Sequence, residues 1–254
     1  MTPALLSMDV FIAGVARSGS TLVANLMTTP PDRWLIVEPG ITRGDMSEQV
    51  RIQAERFGIR ISGERWRAES NAEERFEKLL IPHLSRLKSW GVKEVNPAGY
   101  DRLLALFNPR KVVLVVRDIG DAAISMLEKQ ELTPRAGQDE EWLAKRLCDS
   151  ARAVMKLAES WPGERTCVVH YERFVADPMR KSLLEEWLSW PLTGDPNRCM
   201  DIFARDYEVD RHDREITDRS VDRRHRETST HRLAFAKRVT KSMRNFQETF
   251  GYSD

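Results

Sequence analysis

Lys111-Val-Val-Leu-Val-Val116 is the stretch that most narrows the folds open to this chain. It is apolar almost throughout, without polar alternation, so a strand made from it must be covered on both faces, the usual condition in a parallel sheet. Asn108-Pro109 just before it breaks the preceding helix. Other short β-rich runs are VFIAG at 10–14, WLIV at 34–37, WGVKEV at 90–95 and TCVVH at 166–170, and they alternate with longer stretches of helical spacing. The alternation predicts an α/β fold, a parallel sheet flanked by helices, with KVVLVV at its centre.

A chain of 254 residues buries a full core in one unit, and a single domain over 1–254 is expected. Forty basic side chains against thirty-nine acidic ones leave a net charge of +1. Neither nucleic acid nor an anionic membrane is therefore expected as a partner, and any anion site must be local. Cys148, Cys167 and Cys199 are far apart and contain no CxxC pair, which argues against a disulfide scaffold or a thiolate zinc site. The first apolar run is too short for a secretory segment, and a soluble, cytoplasmic protein is expected.

The charged stretch from Ser47 to Trp90 has helical spacing and a turn near Ile61-Ser-Gly63. It reads as helices packed on the sheet edge, with a cap or acceptor-binding insertion as the alternative. Phe235, Val239, Met243, Phe246 and Phe250 stand three or four apart and predict a closing amphipathic helix. The five tryptophans Trp34, Trp90, Trp161, Trp187 and Trp190 read as packing residues.

Gly14-Val-Ala-Arg-Ser-Gly-Ser-Thr21 fits the phosphate-loop pattern GxxxxGK[ST] except that Ser20 replaces the lysine. With VFIAG before it and LVANLM after it, the segment reads as strand, tight turn, helix. Such a joint aims backbone N–H groups and a helix dipole at one point, where an anion binds. Arg17 adds a cation within the turn, and Ser18, Ser20 and Thr21 add hydroxyl donors. A triphosphate loop works with magnesium held by a second strand-end acid. Here KVVLVV ends in Arg117, which points to a second anionic group on the ligand and no obligatory metal. From Arg117 the chain continues RDIGDAAISMLEKQ, where Ser125 and Lys129 are four apart and share a helical face with Asp121.

At this point the chain resembles the sulfotransferase family that uses 3′-phosphoadenosine 5′-phosphosulfate. GVARSGST is similar to its 5′-phosphosulfate loop, and RDIGDAAIS to its 3′-phosphate motif, an arginine with a serine eight residues later. VVHYERFVADP at 168–178 is similar to the family's strand and turn, WGVKEV to its lysine-bearing strand end, and Ile36-Val-Glu-Pro39 places Glu38 twenty-one residues after Arg17. The likeness runs from about residue 10 to 180. It implies a phosphate-loop-type α/β fold, sulfuryl transfer to an acceptor hydroxyl on a small molecule, carbohydrate or peptide, the 3′,5′-bisphosphate nucleotide as product, and no metal. Arginine at position 17, where the cytosolic branch has lysine, is closer to the carbohydrate- and tyrosyl-modifying branches.

The resemblance also implies roles. Glu38 is the expected base, since the carboxylate branch uses glutamate where the cytosolic branch uses histidine. Lys93 is the expected catalytic lysine, its alternative being a strand-end charge paired with Glu94 and its strand flanked by those carrying both anion motifs. Arg17, Ser18, Gly19, Ser20 and Thr21 hold the 5′ side, while Arg117 and Ser125, with help from Lys129, hold the 3′-phosphate. Tyr171 lies near the adenine, or else is a packed strand-end aromatic. Residues 204–232 interleave arginine with acids, a pattern of solvated ion pairs, and within them Arg219 and Ser220 are placed on the 3′-phosphate. His83 is the rival base, His170 a packing residue, and His212, His225 and His231 show no metal-ligand spacing. Two other readings stand beside this one, a phosphate-loop small-molecule kinase and a nucleic-acid-binding module using the basic tail.

Overall fold

The computed structural model describes residues 7–41, 44, 46, 48–69, 71–194 and 222–252. Each β-rich run forms a strand: β1 Val10–Gly14, β2 Arg33–Val37, β3 Ser89–Glu94, β4 Lys111–Val116 and β5 Thr166–His170. All pairings are parallel and the order is β2-β3-β1-β4-β5. This corrects the expected centre. KVVLVV lies one place off it, between β1 and β5, and the central strand is VFIAG, buried at every position. Two wholly apolar strands look alike by burial, so composition does not fix which lies inside the other.

The helices are α1 Ser20–Met27, α2 Glu48–Glu55, α3 Gly63–Ala68, α4 Ala72–Arg75, α5 Ile81–Leu84, α6 Tyr100–Phe107, α7 Ile119–Leu132, α8 Glu140–Ser160, α9 Tyr171–Ala176, α10 Pro178–Leu188, α11 Arg223–Arg226, α12 Thr230–Ser242 and α13 Arg244–Thr249. A π-helical turn, Phe76–Leu80, joins α4 to α5. The sheet splits the core in two, as alternating side chains must. On one face Phe11, Trp34, Ile36, Val92, Val112 and Leu114 pack against α2 to α8, α12 and α13. On the other, Val10, Ile12, Leu35, Val37, Val113 and Val115 pack against α1 and α10.

The stretch before Trp90 follows its plainer reading. Val50, Ala54, Phe57, Trp66, Phe76 and Leu80 are buried in the first core, and Trp34 stacks on Phe57 with ring centroids 4.8 Å apart. Such an enclosed ring contributes about 3–5 kcal/mol against truncation to alanine. Trp34, Trp90 and Trp190 are all buried. The closing amphipathic segment keeps its face but not its continuity. Phe235, Val239, Met243, Phe246 and Phe250 are all buried, while the helix breaks at Met243 between α12 and α13. Spacing reads a face, and a break that preserves the face leaves no trace in it.

Because every strand runs the same way, all five carboxyl ends open on one edge of the sheet, where ligands of open α/β folds bind. The residues at or just beyond those ends are Arg17, Glu38, Lys93, Arg117 and Tyr171.

Candidate functional site

After β1 the chain turns sharply. Ser18 N–H donates to Val15 O at 3.0 Å, and the backbone is left-handed at both Arg17 (φ 69°) and Gly19 (φ 84°). The two glycines are required by close approach. A Cβ on Gly14 would lie 2.8 Å from Ser18 Oγ, and one on Gly19 would lie 2.2 Å from the Tyr171 ring. Ser18 is fully buried and its Oγ has no hydrogen-bond partner among the described residues. An unsatisfied buried hydroxyl costs about 1–3 kcal/mol, which an incoming ligand oxygen would recover. Helix α1 begins at Ser20 with Gly19 as an N-cap that supplies no side-chain hydrogen bond and with no acid in the first turn. Its leading N–H groups are thus not covered by a cap side chain. The loop therefore fits the phosphate-bearing end of a nucleotide.

Lys93 and Glu38 meet at the neighbouring strand ends. Register aligns Lys93 with Ile12 of β1 and Val37 of β2. Glu38 N–H donates to Lys93 O at 2.7 Å, and Lys93 Nζ donates to Glu38 Oε1 at 2.5 Å. Glu38 holds a left-handed backbone (φ 46°), a conformation that costs a non-glycine residue about 1–2 kcal/mol. The pair has a dry end and a wet end: the lysine side chain is 2% exposed and the glutamate side chain 34%. A buried ammonium needs such a partner, and the carboxylate reaches outward from it.

Glu94, the alternative partner for Lys93, is used otherwise. Its Oε1 accepts the N–H groups of Val95 and Asn96, each at 2.9 Å. The expected flanking of β3 by both anion motifs also fails, since β3 lies between β1 and β2 and Arg117 follows β4 on the far side of β1.

The sequence reading missed Tyr100. Its buried hydroxyl accepts the Gly14 N–H at 3.3 Å and lies 3.1 Å from Gly14 O and 3.2 Å from Glu94 O. It ties the start of the phosphate loop to the strand end carrying Lys93, and burial raises its pKa so that it stays neutral. No motif marks it, because its position matters only once β1 and β3 are known to be neighbours.

The side after β4 is built from side chains. Arg117 is buried. Its Nη1 donates to Arg17 O at 3.3 Å, its Nη2 lies 3.6 Å from Asp121 Oδ2, and its guanidinium sits 4.8 Å from the centroid of the Tyr171 ring. Tyr171 is thus held between Arg117 and Gly19, over the loop. Arg17 Nε donates to Ser125 Oγ at 3.2 Å, which brings the two sequence motifs into direct contact. Burial, then Arg117 and Arg223, lowers the pKa of Arg17.

Arg223 is a second residue that the sequence reading missed. Its backbone N–H and that of Arg224 donate to Asp121 at 2.9 and 2.8 Å, and its guanidinium pairs with Glu128 at 2.5 Å. Lys129 stands one turn beyond Ser125 on an exposed part of α7. Its pKa is pushed down to about 8, first by desolvation from the protein around its head group and then by Arg17.

The histidines lie apart from this cluster. His83 is on α5, whose turn leads into the amino end of β3, at the edge of the sheet opposite the site. His170 packs near Tyr252, ring centroids 5.5 Å apart, with its pKa lowered by burial and then by Arg173. His225 pairs with Asp222, and His231 with Glu140. Cys148 and Cys167 are free thiols. Arg219, Ser220, His212 and Cys199 lie outside the described residues. Among the described residues, no group of three or more His, Cys, Asp or Glu could hold a metal ion, and no helix is long and apolar enough to cross a membrane.

The sulfotransferase family model matches residues 9–193. The sulfotransferase domain of the Synechococcus PCC 7002 olefin synthase superposes with a TM-score of 0.60 at 18% identity, covering 100% of this chain and 98% of that one. The sulfotransferase domain from the curacin biosynthetic pathway gives 0.59 at 15% identity, covering 95% and 99%. Mouse sulfotransferase SULT7A1, complexed with PAP, gives 0.51 at 14% identity, covering 97% and 89%. No curated protein matches the chain by sequence. At these identities the structural likenesses establish the shared fold. The family model, which spans most of the chain, adds that this phosphate-loop α/β protein belongs to the sulfotransferase family.

Proposed function

We propose that residues 1–254 form one sulfotransferase domain that moves a sulfuryl group from 3′-phosphoadenosine 5′-phosphosulfate to a hydroxyl of a small-molecule, carbohydrate or peptide acceptor. The observation that carries this reading is the Lys93–Glu38 pair beside the loop Gly14–Thr21. The donor brings an activated sulfuryl group whose leaving group is the bisphosphate nucleotide. Ser18, Ser20, Thr21 and the first N–H groups of α1 hold its 5′ side, and Arg117 and Ser125 its 3′-phosphate. The PAP-bound mouse neighbour supports this choice of donor.

The residues then divide the work by charge and exposure. Glu38 Oε atoms reach the open side and take the acceptor proton, placing the chain with the carboxylate-base branch. Lys93 Nζ, enclosed and already oriented by Glu38, faces the charge that develops on the leaving oxygen. As the carboxylate is protonated, the hold on the ammonium weakens and its N–H groups are released toward that oxygen. Arg17 sits between loop and Ser125 and balances the same negative charge. Tyr171 packs the adenine side. Among cell compartments, the free thiols Cys148 and Cys167 favour the cytoplasm.

Calorimetric titration with PAP, against ATP plus magnesium, tests the donor. Tight PAP binding without metal is expected, and a preference for ATP would replace this reading with a kinase. Glu38→Gln should then lower turnover by about 10²–10⁴-fold, the usual contribution of a positioned base. PAP affinity should stay within about twofold, since the substitution keeps the side chain's size and leaves the phosphate loop and Arg117 in place. Unchanged turnover in that variant would remove Glu38 from the base role.

A further inference from the structure

The segment that carries Lys93 also reaches back to the root of the phosphate loop. Glu94 Oε1 takes the N–H groups of Val95 and Asn96, and Asn96 Oδ1 accepts the Ala98 N–H at 3.4 Å. The chain thus leaves β3 through one short turn, Pro97–Gly99, and α6 opens at Tyr100. The Tyr100 ring is 2% exposed and leans edge-on against Phe11 of β1, centroids 5.6 Å apart and planes at 81°. That packing fixes where the hydroxyl lands. It accepts the Gly14 N–H at 3.3 Å and stands 3.1 Å from Gly14 O and 3.2 Å from Glu94 O. A phenol has one hydrogen to give, so the carbonyl at the loop's root and the carbonyl next to Lys93 share it.

Strand register shows why a side chain is needed at this point. β1 pairs with β4 as far as Gly14 opposite Val115, but its pairing with β3 stops one residue earlier, at Ala13 opposite Glu94. The loop's root is therefore held by a strand rung on the β4 side and by the Tyr100 hydroxyl on the β3 side. On the other flank of β3, Lys93 O accepts the Glu38 N–H at 2.7 Å while Lys93 Nζ holds Glu38 Oε1 at 2.5 Å. Tyr100 closes a run of direct contacts from the loop, through Glu94, to the Lys93–Glu38 pair.

Resting on the donor reading above, we infer that Tyr100 is a positioning residue: through its hydroxyl, a nucleotide seated on Gly14–Thr21 steadies the strand end that presents Lys93 and, beyond it, Glu38. The loop binds the donor with its own N–H groups and hydroxyls. The tyrosine sets how far that bound donor lies from the groups that act on it, and such groups must be held within about 0.5 Å of their productive geometry. The hydroxyl carries this role and the ring does not, since a phenylalanine keeps the packing on Phe11 and loses only the bridge.

The test is hydrogen–deuterium exchange with and without saturating PAP, read in peptides covering 14–21 and 93–100. In the wild type PAP should slow exchange in both, by about fivefold at 93–100, the worth of one net hydrogen bond. Tyr100→Phe should keep the slowing at 14–21 and bring that at 93–100 below about twofold, with PAP affinity by calorimetry within about threefold of wild type. A tyrosine that serves stability alone would speed exchange equally with and without PAP and leave the PAP effect at 93–100 intact; that outcome overturns the inference. A PAP affinity that collapses with the hydroxyl makes Tyr100 a prop of the loop alone and also overturns it. Should Tyr100→Phe not fold, Phe11→Leu takes its place: it keeps the hydroxyl, loosens the ring behind it, and should reduce the PAP effect at 93–100 while sparing 14–21, an undiminished effect again counting against the inference. Failure of the wild type to bind PAP removes the donor reading and this inference with it. PAP binding that protects 14–21 but not 93–100 sinks the positioning role alone.

Discussion

The two sides of the proposed anion site are made of different material. The loop after β1 is assembled from neighbours in sequence: Gly14 to Thr21 supply the turn, the left-handed positions, the buried Ser18 hydroxyl and the helix start. The side after β4 is assembled across the chain. Asp121 accepts the Arg223 N–H from 102 residues away, and Asp118 accepts Gln247 Nε2 at 2.8 Å from 129 residues away. The first is a backbone device whose geometry is its function. The second is a charge network in which Arg117 is aimed by what surrounds it, so distant substitutions reach it.

The sharpest break of this comparison comes from the loop. Gly19→Ala places a Cβ against the Tyr171 ring and asks a non-glycine residue for φ 84°. Since Tyr171 also holds Arg117, the ring has no cheap direction to move. PAP affinity should fall by more than about a hundredfold. Adenosine 5′-phosphosulfate, which lacks the 3′-phosphate, should lose as much, because in the proposed function the loop serves the 5′ side of both. Calorimetry on the two nucleotides checks this, and a selective loss of PAP would mean that the loop reads the 3′ side.

Asp121→Ala probes the other material. It removes a carboxylate that is buried, faces Arg117 and accepts two backbone N–H groups from α11 and its start. Breaking a buried pair from one side costs about 3–5 kcal/mol, and urea denaturation should show a fall of that size. Here the nucleotides should separate: PAP affinity drops roughly tenfold, and adenosine 5′-phosphosulfate changes little. Equal losses would make the network a matter of folding alone.

That difference also governs what the sequence could reveal. VFIAG, KVVLVV and TCVVH became strands with the bounds read from the runs, because burial on two faces is a local property. Strand order is not local, which is why KVVLVV was assigned the centre that VFIAG holds. The loop residues and Glu38 were legible as motif positions, but the left-handed backbone at Glu38 was not, since nothing in Val-Glu-Pro-Gly announces it. Tyr100, Arg223 and Gln247 stayed silent for the same reason: each acts through a partner brought near by the sheet order or by the returning C-terminal helices. The strand end marks Arg117 as a candidate in sequence, while its contacts with Asp121 and Tyr171 are visible only in the fold.

The smallest expected effect lies at the far end of that network. Tyr252 OH donates to Glu172 Oε2 at 2.8 Å, while Glu172 Oε1 accepts the Asp118 N–H at 3.0 Å. The C-terminus thereby reaches, through one carboxylate, the residue that follows Arg117. Tyr252→Phe keeps the ring beside His170 and removes the hydroxyl alone. A hydrogen bond to a charged group contributes about 1.5–3 kcal/mol, and the lower end applies because Glu172 keeps its bond to Asp118. Stability should therefore fall by about 1.5 kcal/mol in urea. PAP affinity should fall by no more than about threefold, because Asp118 is still held by Gln247 and Arg224. A larger, PAP-selective loss would show the C-terminal contact to be part of the binding site, not a brace behind it. Unchanged stability would mean that the hydroxyl exchanges Glu172 for water without cost and that the network ends at Gln247.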